Sequence, residues 1–203
     1  MTYDTDNSLF QIVQVPGIAN GCFEITEWFA MNSVAHGRLM GHLTTIGDVL
    51  DLPDLTTMKA ANPNYKYIGV VCNPWARVAN LYDTLATATA FQKTKIPNYS
   101  HLNLTSLSSF VAQMVSYDRT LWPFWWTFTT NQQSWVSGCD YIVRSEHLTS
   151  DFAAIQAFFK SEKALVADPN IVIVPYASRY DTATKNTVAT MFKTDIDQYN
   201  YTF

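Results

Sequence analysis

The chain has 203 residues, 48% apolar and 15% charged, which suits one folded domain spanning 1–203 and is too apolar for intrinsic disorder. Its net charge is −4 with only 13 Lys and Arg, so it shows neither the basic face of a general nucleic-acid binder nor a Lys/Arg-rich run for an anionic membrane surface. Aromatic residues make up 14%, a surplus that must go into a core, a binding surface or both.

The first residues, MTYDTDNSLF, are polar and acidic and lack the basic and apolar regions of a signal peptide. FQIVQV (10–15) reads as a first strand, and PGIANG (16–21) breaks it. CFEITEWFAMNSVAH (22–36) carries apolar residues at Cys22, Ile25, Trp28, Phe29 and Val34, close to a helical period. GHLTTIGDVLDL (41–52) reads as a short loop and helix. YIGVVC (67–72) is a continuous apolar run, as expected of a strand covered on both faces. NPWARVANLYDTLATATAF (73–91) is a helix opened by Asn and Pro.

SLSSFVAQMVSYD (106–118) is helical, with Phe110, Met114 and Tyr117 on one side. LWPFWWTF (121–128) is an aromatic cluster, and DYIVRSEHL (140–148) gives a strand and its exit. SDFAAIQAFFKS (150–161) is an amphipathic helix with Ser150 as its N-cap. NIVIVPY (170–176) is a further strand or extended segment, and DTATKNTVATMFKTDIDQYNYTF (181–203) a C-terminal helix ending in an aromatic tail. Alternating strands and helices predict an α/β fold, a parallel sheet flanked by helices with right-handed crossovers. No stretch approaches the ~18 apolar residues of a membrane helix. Cys22, Cys72 and Cys139 are odd in number and widely spaced, and read as reduced thiols. The triplets at Asn98, Asn103 and Asn200 read as chance glycosylation matches, and the expected location is the cytoplasm of the producing cell.

Several segments, in order, resemble the Golgi-type and phage-type sulfotransferases. KYIGVVCNPWARVANLY resembles that family's hhhVRNPxxRxxSxY strand-loop-helix, and DYIVRSEHLTSDFAAIQAFF its hhxRxExLxxDF segment. The C-terminal stretch with Asp195 and Ile196, and the Gly-His-x-Thr stretch at 41–44, also take family positions. IVQVPGIANGCFEITEWF stands in place of the cofactor loop, usually hhhhPKxxGTS. The resemblance implies a P-loop-like, sulfotransferase-like α/β fold and transfer of a sulfuryl group from phosphoadenosine phosphosulfate (PAPS) to a hydroxyl or amine.

The donor-binding positions depart from the pattern. The resemblance places the donor cradle at Gly17, Asn20, Gly21, Cys22, Arg77 and Asn80, but Gly17 stands where the family has Lys, and Asn20, Gly21 and Cys22 where it has Gly-Thr-Ser. No Lys or Arg lies between Met1 and Val34, and Glu24 and Glu27 would repel a dianion. Cys72 replaces the Arg before Asn-Pro, and Asn80 the Ser of the following helix, while Arg77 matches an Arg that is often structural. Losing two charge-assisted hydrogen bonds removes about 3–6 kcal/mol, on the order of 10²–10⁴ in affinity, and losing the cation weakens the chemical step too. Lys66, Arg38, Arg144 and Arg179 are the cations that could rebuild the site from elsewhere.

His42 is the candidate general base of an active enzyme, beside the plainer reading of a loop hydrogen bond. His36, His101 and His147 have no partners at metal-like spacing, so no metal site is expected. Cys22 reads as a packed thiol rather than a nucleophile, Cys72 as core, and Glu146 as a structural hydrogen-bonding group rather than a catalytic acid. Trp122, Phe124, Trp125, Trp126 and Phe128 cannot all face one core from an extended segment, and Pro123 opposes a regular helix. They form either a partner surface or a lid over the helix at 106–118.

Two functions follow. One is a degenerate sulfotransferase-like module without cofactor, a binding or structural component such as a phage virion or assembly component, with a protein partner or second copy on the aromatic surface. The alternative is an active PAPS-dependent sulfotransferase. A kinase-like use of the fold is opposed by the absence of GxxxxGK[ST].

Overall fold

The apolar run of the third strand sits inside a parallel sheet. The computed structural model describes residues 9–14, 38–40, 55–61, 63–95, 98–117, 129–158 and 175–203. The predicted break at 16–21, the helix at 22–36, the segment at 41–52, the aromatic cluster at 121–128 and nearly all of 170–176 lie outside these residues. The chain is α/β and mostly helical. It forms two compact units, one of Met1–His42, Leu52–Cys72 and Ser134–Val172, the other of Leu43–Asp51, Asn73–Gln133 and Ile173–Phe203.

The first unit holds the sheet. Strands β1 (Leu9–Gln14), β2 (Arg38–Met40), β3 (Tyr65–Val71) and β4 (Tyr141–Arg144) run in the order β2-β1-β3-β4. Every pairing is parallel, with Ile12 opposite Ile68 and Ile68 opposite Tyr141. Placed between two neighbours, β3 buries Tyr67, Ile68, Val70 and Val71 completely, which explains why it lacks the alternation of a half-exposed strand.

Helix α6 (Leu148–Phe158) packs on β4 and buries Leu148, Phe152 and Ile155, an i, i+4, i+7 stripe. It starts two residues before the predicted N-cap. One 3₁₀ turn, Ser145–His147, carries the chain from β4 into it, and the Ser150 hydroxyl donates to the His147 carbonyl at 2.9 Å instead of capping. Just before β4, Asp140 accepts the Tyr67 N–H at 2.8 Å, and the Lys59 ammonium of helix α1 (Leu55–Ala61) donates to the Gly138 carbonyl at 2.7 Å.

Gly69 is the tightest point of the sheet. A Cβ there would lie 2.7 Å from Val136, at the end of helix α5 (Gln132–Val136), and 3.1 Å from the Ile142 side chain. Only a residue without a side chain lets Val136 seat on β3.

The second unit is helical, with α2 (Pro74–Ala86), α3 (Ala90–Lys95), α4 (Leu107–Ser116), α7 (Thr182–Met191) and α8 (Lys193–Tyr199). Helices α2, α4 and α7 pack against one another. Their shared core includes Val78, Leu81 and Leu85 of α2, Phe110, Val111 and Met114 of α4, and Val188 of α7. Ser106 and Asp181 cap α4 and α7, accepting the N–H groups of Ser109 at 3.0 Å and Thr184 at 2.7 Å.

Two predicted helices are each divided. The one expected over 73–91 ends at Ala86, where the Thr87 N–H and hydroxyl both go to the Asp83 carbonyl, at 2.9 and 2.7 Å. That closes the last turn before α3 begins at Ala90. The one expected over 181–203 breaks at Phe192, whose ring is fully buried and whose φ of −112° leaves the helical range. Asn200, at φ 55°, then ends α8 in the left-handed conformation, with the Tyr201 N–H returning to the Ile196 carbonyl at 3.1 Å.

Gly69→Ala is expected to destabilise the protein by about 1–3 kcal/mol through overpacking against Val136. Urea denaturation measures this, with parent-like stability as the contrary result.

Candidate functional site

The order β2-β1-β3-β4 puts a topological switch point between β1 and β3, because the chain leaves these neighbours in opposite directions across the sheet. In open parallel sheets ligands bind beyond the carboxyl ends of such strands. Here those ends are Gln14 and Val71, which lead into the segments where the resemblance would place the donor-binding loops. Gly17, Asn20, Gly21 and Cys22 after β1, and His42 after β2, lie outside the described residues. So do the aromatic residues Trp122, Phe124, Trp125 and Trp126.

The end of β3 is closed by its own neighbours. Cys72 is buried, and the Ser145 hydroxyl donates to the Val71 carbonyl at 3.1 Å. Arg144, one of the cations that could rebuild a donor site, faces Asp151 in the first turn of α6. Its Nε and Nη2 donate to the two carboxylate oxygens at 2.8 Å each, and its backbone N–H donates to Oδ2 at 3.0 Å. The Arg144 side-chain hydrogen bonds hold the Asp151 carboxyl below the ordinary carboxylate range, against the opposing effect of burial. Glu146 sits exposed on the turn between β4 and α6.

In the second unit, α2 opens on a side-chain cap. Asn73 Oδ1 accepts the N–H groups of Trp75 at 3.0 Å and Ala76 at 3.4 Å, and Asn73 Nδ2 donates to the Thr202 carbonyl at 2.9 Å. The first helical turn therefore satisfies its donors from within the chain.

Arg77 is 1% exposed. Its Nη1 donates to the Thr130 carbonyl at 3.2 Å, and its guanidinium carbon lies 5.4 Å from the Phe192 ring centroid. Asn80, by contrast, is exposed on α2.

Close by in the same network, the fully buried Asp195 accepts the N–H groups of Gln132 at 2.8 Å and Gln133 at 2.9 Å. These are the opening donors of α5, so Asp195 caps that helix across more than 60 residues of sequence. Burial pushes its carboxyl up, while the two N–H donors and the charge of Arg77 pull it back.

The remaining described cations are also engaged. Arg179 forms a paired contact with Asp83, with Nη2 to Oδ1 at 2.7 Å, and its guanidinium lies 5.6 Å from the Tyr82 ring centroid. Lys66 lies 4.0 Å from Asp140, which also meets Lys59 at 3.5 Å. Lys193 pairs with Asp197 at 2.6 Å, while Lys93 and Lys185 sit over the rings of Tyr99 and Phe203. Each of the Lys and Arg side chains described thus has an anion, a carbonyl or a ring as partner. Of the four cations considered for a rebuilt site, Lys66, Arg144 and Arg179 are paired inside the fold, and the side chain of Arg38 lies outside the described residues.

Among the described residues no group of three or more His, Cys, Asp or Glu could hold a metal ion, and no helix is long and apolar enough to cross a membrane. No protein-family model, curated protein or solved structure matches the chain.

Sequence reasoning placed Arg77 and Asp195 at motif positions but not their shared network, because nothing local marks a partner at Thr130 or Gln132. It missed the seat of the tail on α2 altogether, although the aromatic character of 199–203 was visible.

The Arg144–Asp151 pair carries a pH dependence. A carboxyl depressed in the folded state adds stability above its unfolded value of about 4, and that stability is lost as pH falls through the lower folded value. Asp151→Asn should therefore lose stability at neutral pH and show a shallower fall in stability below pH ~4 than the parent. Thermal unfolding between neutral pH and acid measures the difference.

Proposed function

We propose that the chain is a sulfotransferase-like α/β domain that has given up donor binding and serves as a binding or structural module, in a virion or assembly setting. The observation that carries this reading is that Gly17 and Cys72 stand where the motif has its two donor-binding cations. The one cation retained from the motif's helix, Arg77, is 1% exposed and directed to the Thr130 carbonyl. Cys72 and Asn80 replace the two polar partners that would accompany it. The Asn73 side chain already occupies the first N–H groups of α2, and Arg144 is held by Asp151.

The parallel sheet, with its switch point between β1 and β3, is the kind of architecture this reading requires. The module's contact surface in this reading is the aromatic stretch with Trp122, Phe124, Trp125 and Trp126, offered to a protein partner or a second copy.

Calorimetric titration with 3′-phosphoadenosine 5′-phosphate at low salt tests the reading. No binding heat at millimolar ligand is expected. Micromolar binding would contradict it and favour the active enzyme, with His42 as the base to mutate. The combined change Gly17→Lys, Cys72→Arg and Asn80→Ser should raise the affinity by about 10²-fold or more if the cleft itself is kept.

A further inference from the structure

Thr202 and Phe203 cover the first turn of α2 in a way that differs from ordinary core packing. The Phe203 ring meets Trp75 edge-on at 5.4 Å, Tyr176 at 5.8 Å and Tyr180 at 5.8 Å, with interplanar angles of 80°, 77° and 90°. The Lys185 ammonium lies 4.0 Å from the same ring's centroid. The adjoining Thr202 carbonyl accepts the Asn73 amide.

The cage around Phe203 is braced without it. The Trp75 indole donates to the Lys185 carbonyl at 3.0 Å, and the Tyr180 hydroxyl donates to the Trp75 carbonyl at 2.8 Å. Burial raises the Tyr180 hydroxyl well above the ordinary tyrosine range, so this donor keeps its proton at physiological pH. Phe203 itself remains 38% exposed, whereas Trp75 beneath it is only 4% exposed. The segment leaves α8 at Asn200, a single left-handed residue.

We propose that Thr202 and Phe203 act as a clasp: a self-inserted pair, following the buried Tyr201, that shuts the first turn of α2 and holds the Asn73 side chain in its capping position. A cage braced by its own hydrogen bonds and a part-exposed plug are the parts such a device needs. Opening uncovers the Trp75 ring and frees the Asn73 amide to rotate, so the order of the α2 N-terminus is linked to the seating of Phe203. The clasp does not depend on whether the domain binds a donor nucleotide.

Hydrogen exchange followed by NMR on the full chain tests the proposal. In Phe203→Ala, exchange at the Trp75 and Ala76 amides should rise about fivefold to tenfold, the scale of one net hydrogen bond, while Val78, Leu81 and Leu85 in the same helix keep the parent rates. Unchanged exchange at Trp75 and Ala76, or a uniform rise along all of α2, would overturn it. Asn73→Asp provides a second reading, since it keeps the capping oxygens and removes the donor to Thr202. There the Phe203 ring resonances should move away from their parent positions while the Trp75 and Ala76 amides stay protected. A Phe203 ring that stays seated would overturn the clasp.

Discussion

A guanidinium held at 1% exposure constrains everything around it. Arg77 cannot shed its charge and cannot reach bulk water, so the second unit must supply acceptors and a polarisable surface where the group sits. The Thr130 carbonyl and the Phe192 ring do so. Phe192 is also the residue at which α7 gives way to α8, and three residues later Asp195 turns inward to cap α5. One buried cation thus connects the α2 core, the break in the C-terminal helices and the start of α5.

The same economy of internal partners recurs at the helix ends and along the sheet. Asn73, Ser106 and Asp181 satisfy the opening N–H groups of α2, α4 and α7, and Asp195 does so for α5. Arg144 is fixed by Asp151, and Arg179 by Asp83. A phosphate-binding fold leaves its helix N-termini and cations open to the ligand. In this chain the described cations and the N-termini of α2, α4, α5 and α7 are answered by the protein itself, which is why the proposed role is a scaffold or binding role rather than group transfer.

Much of the architecture was legible in the residues. The apolar run of β3 announced a strand buried on both faces, and Asn73-Pro74 announced the start of α2. The ending of α2 was harder to see, because Thr87 closes the turn through its hydroxyl in a stretch whose Ala and Thr residues read as a continuing helix. Ser150 misled for a related reason: a serine before an apolar run reads as a cap, yet its hydroxyl bonds back to His147 inside a helix already begun. The Gly69–Val136 approach and the Asp195 cap were beyond reach, since each depends on a partner more than 60 residues away. Of the candidate site, the sequence offered residue types at motif positions but no geometry, because burial of Arg77 is set by tertiary packing.

The most direct measurement is the equilibrium unfolding of Arg77→Leu in denaturant. If the guanidinium is a structural group bound to Thr130 and Phe192, the variant leaves the Thr130 carbonyl and Asp195 without it and loses about 2–4 kcal/mol of stability. Parent-like stability would contradict the account and return Arg77 to the set of residues available to a ligand.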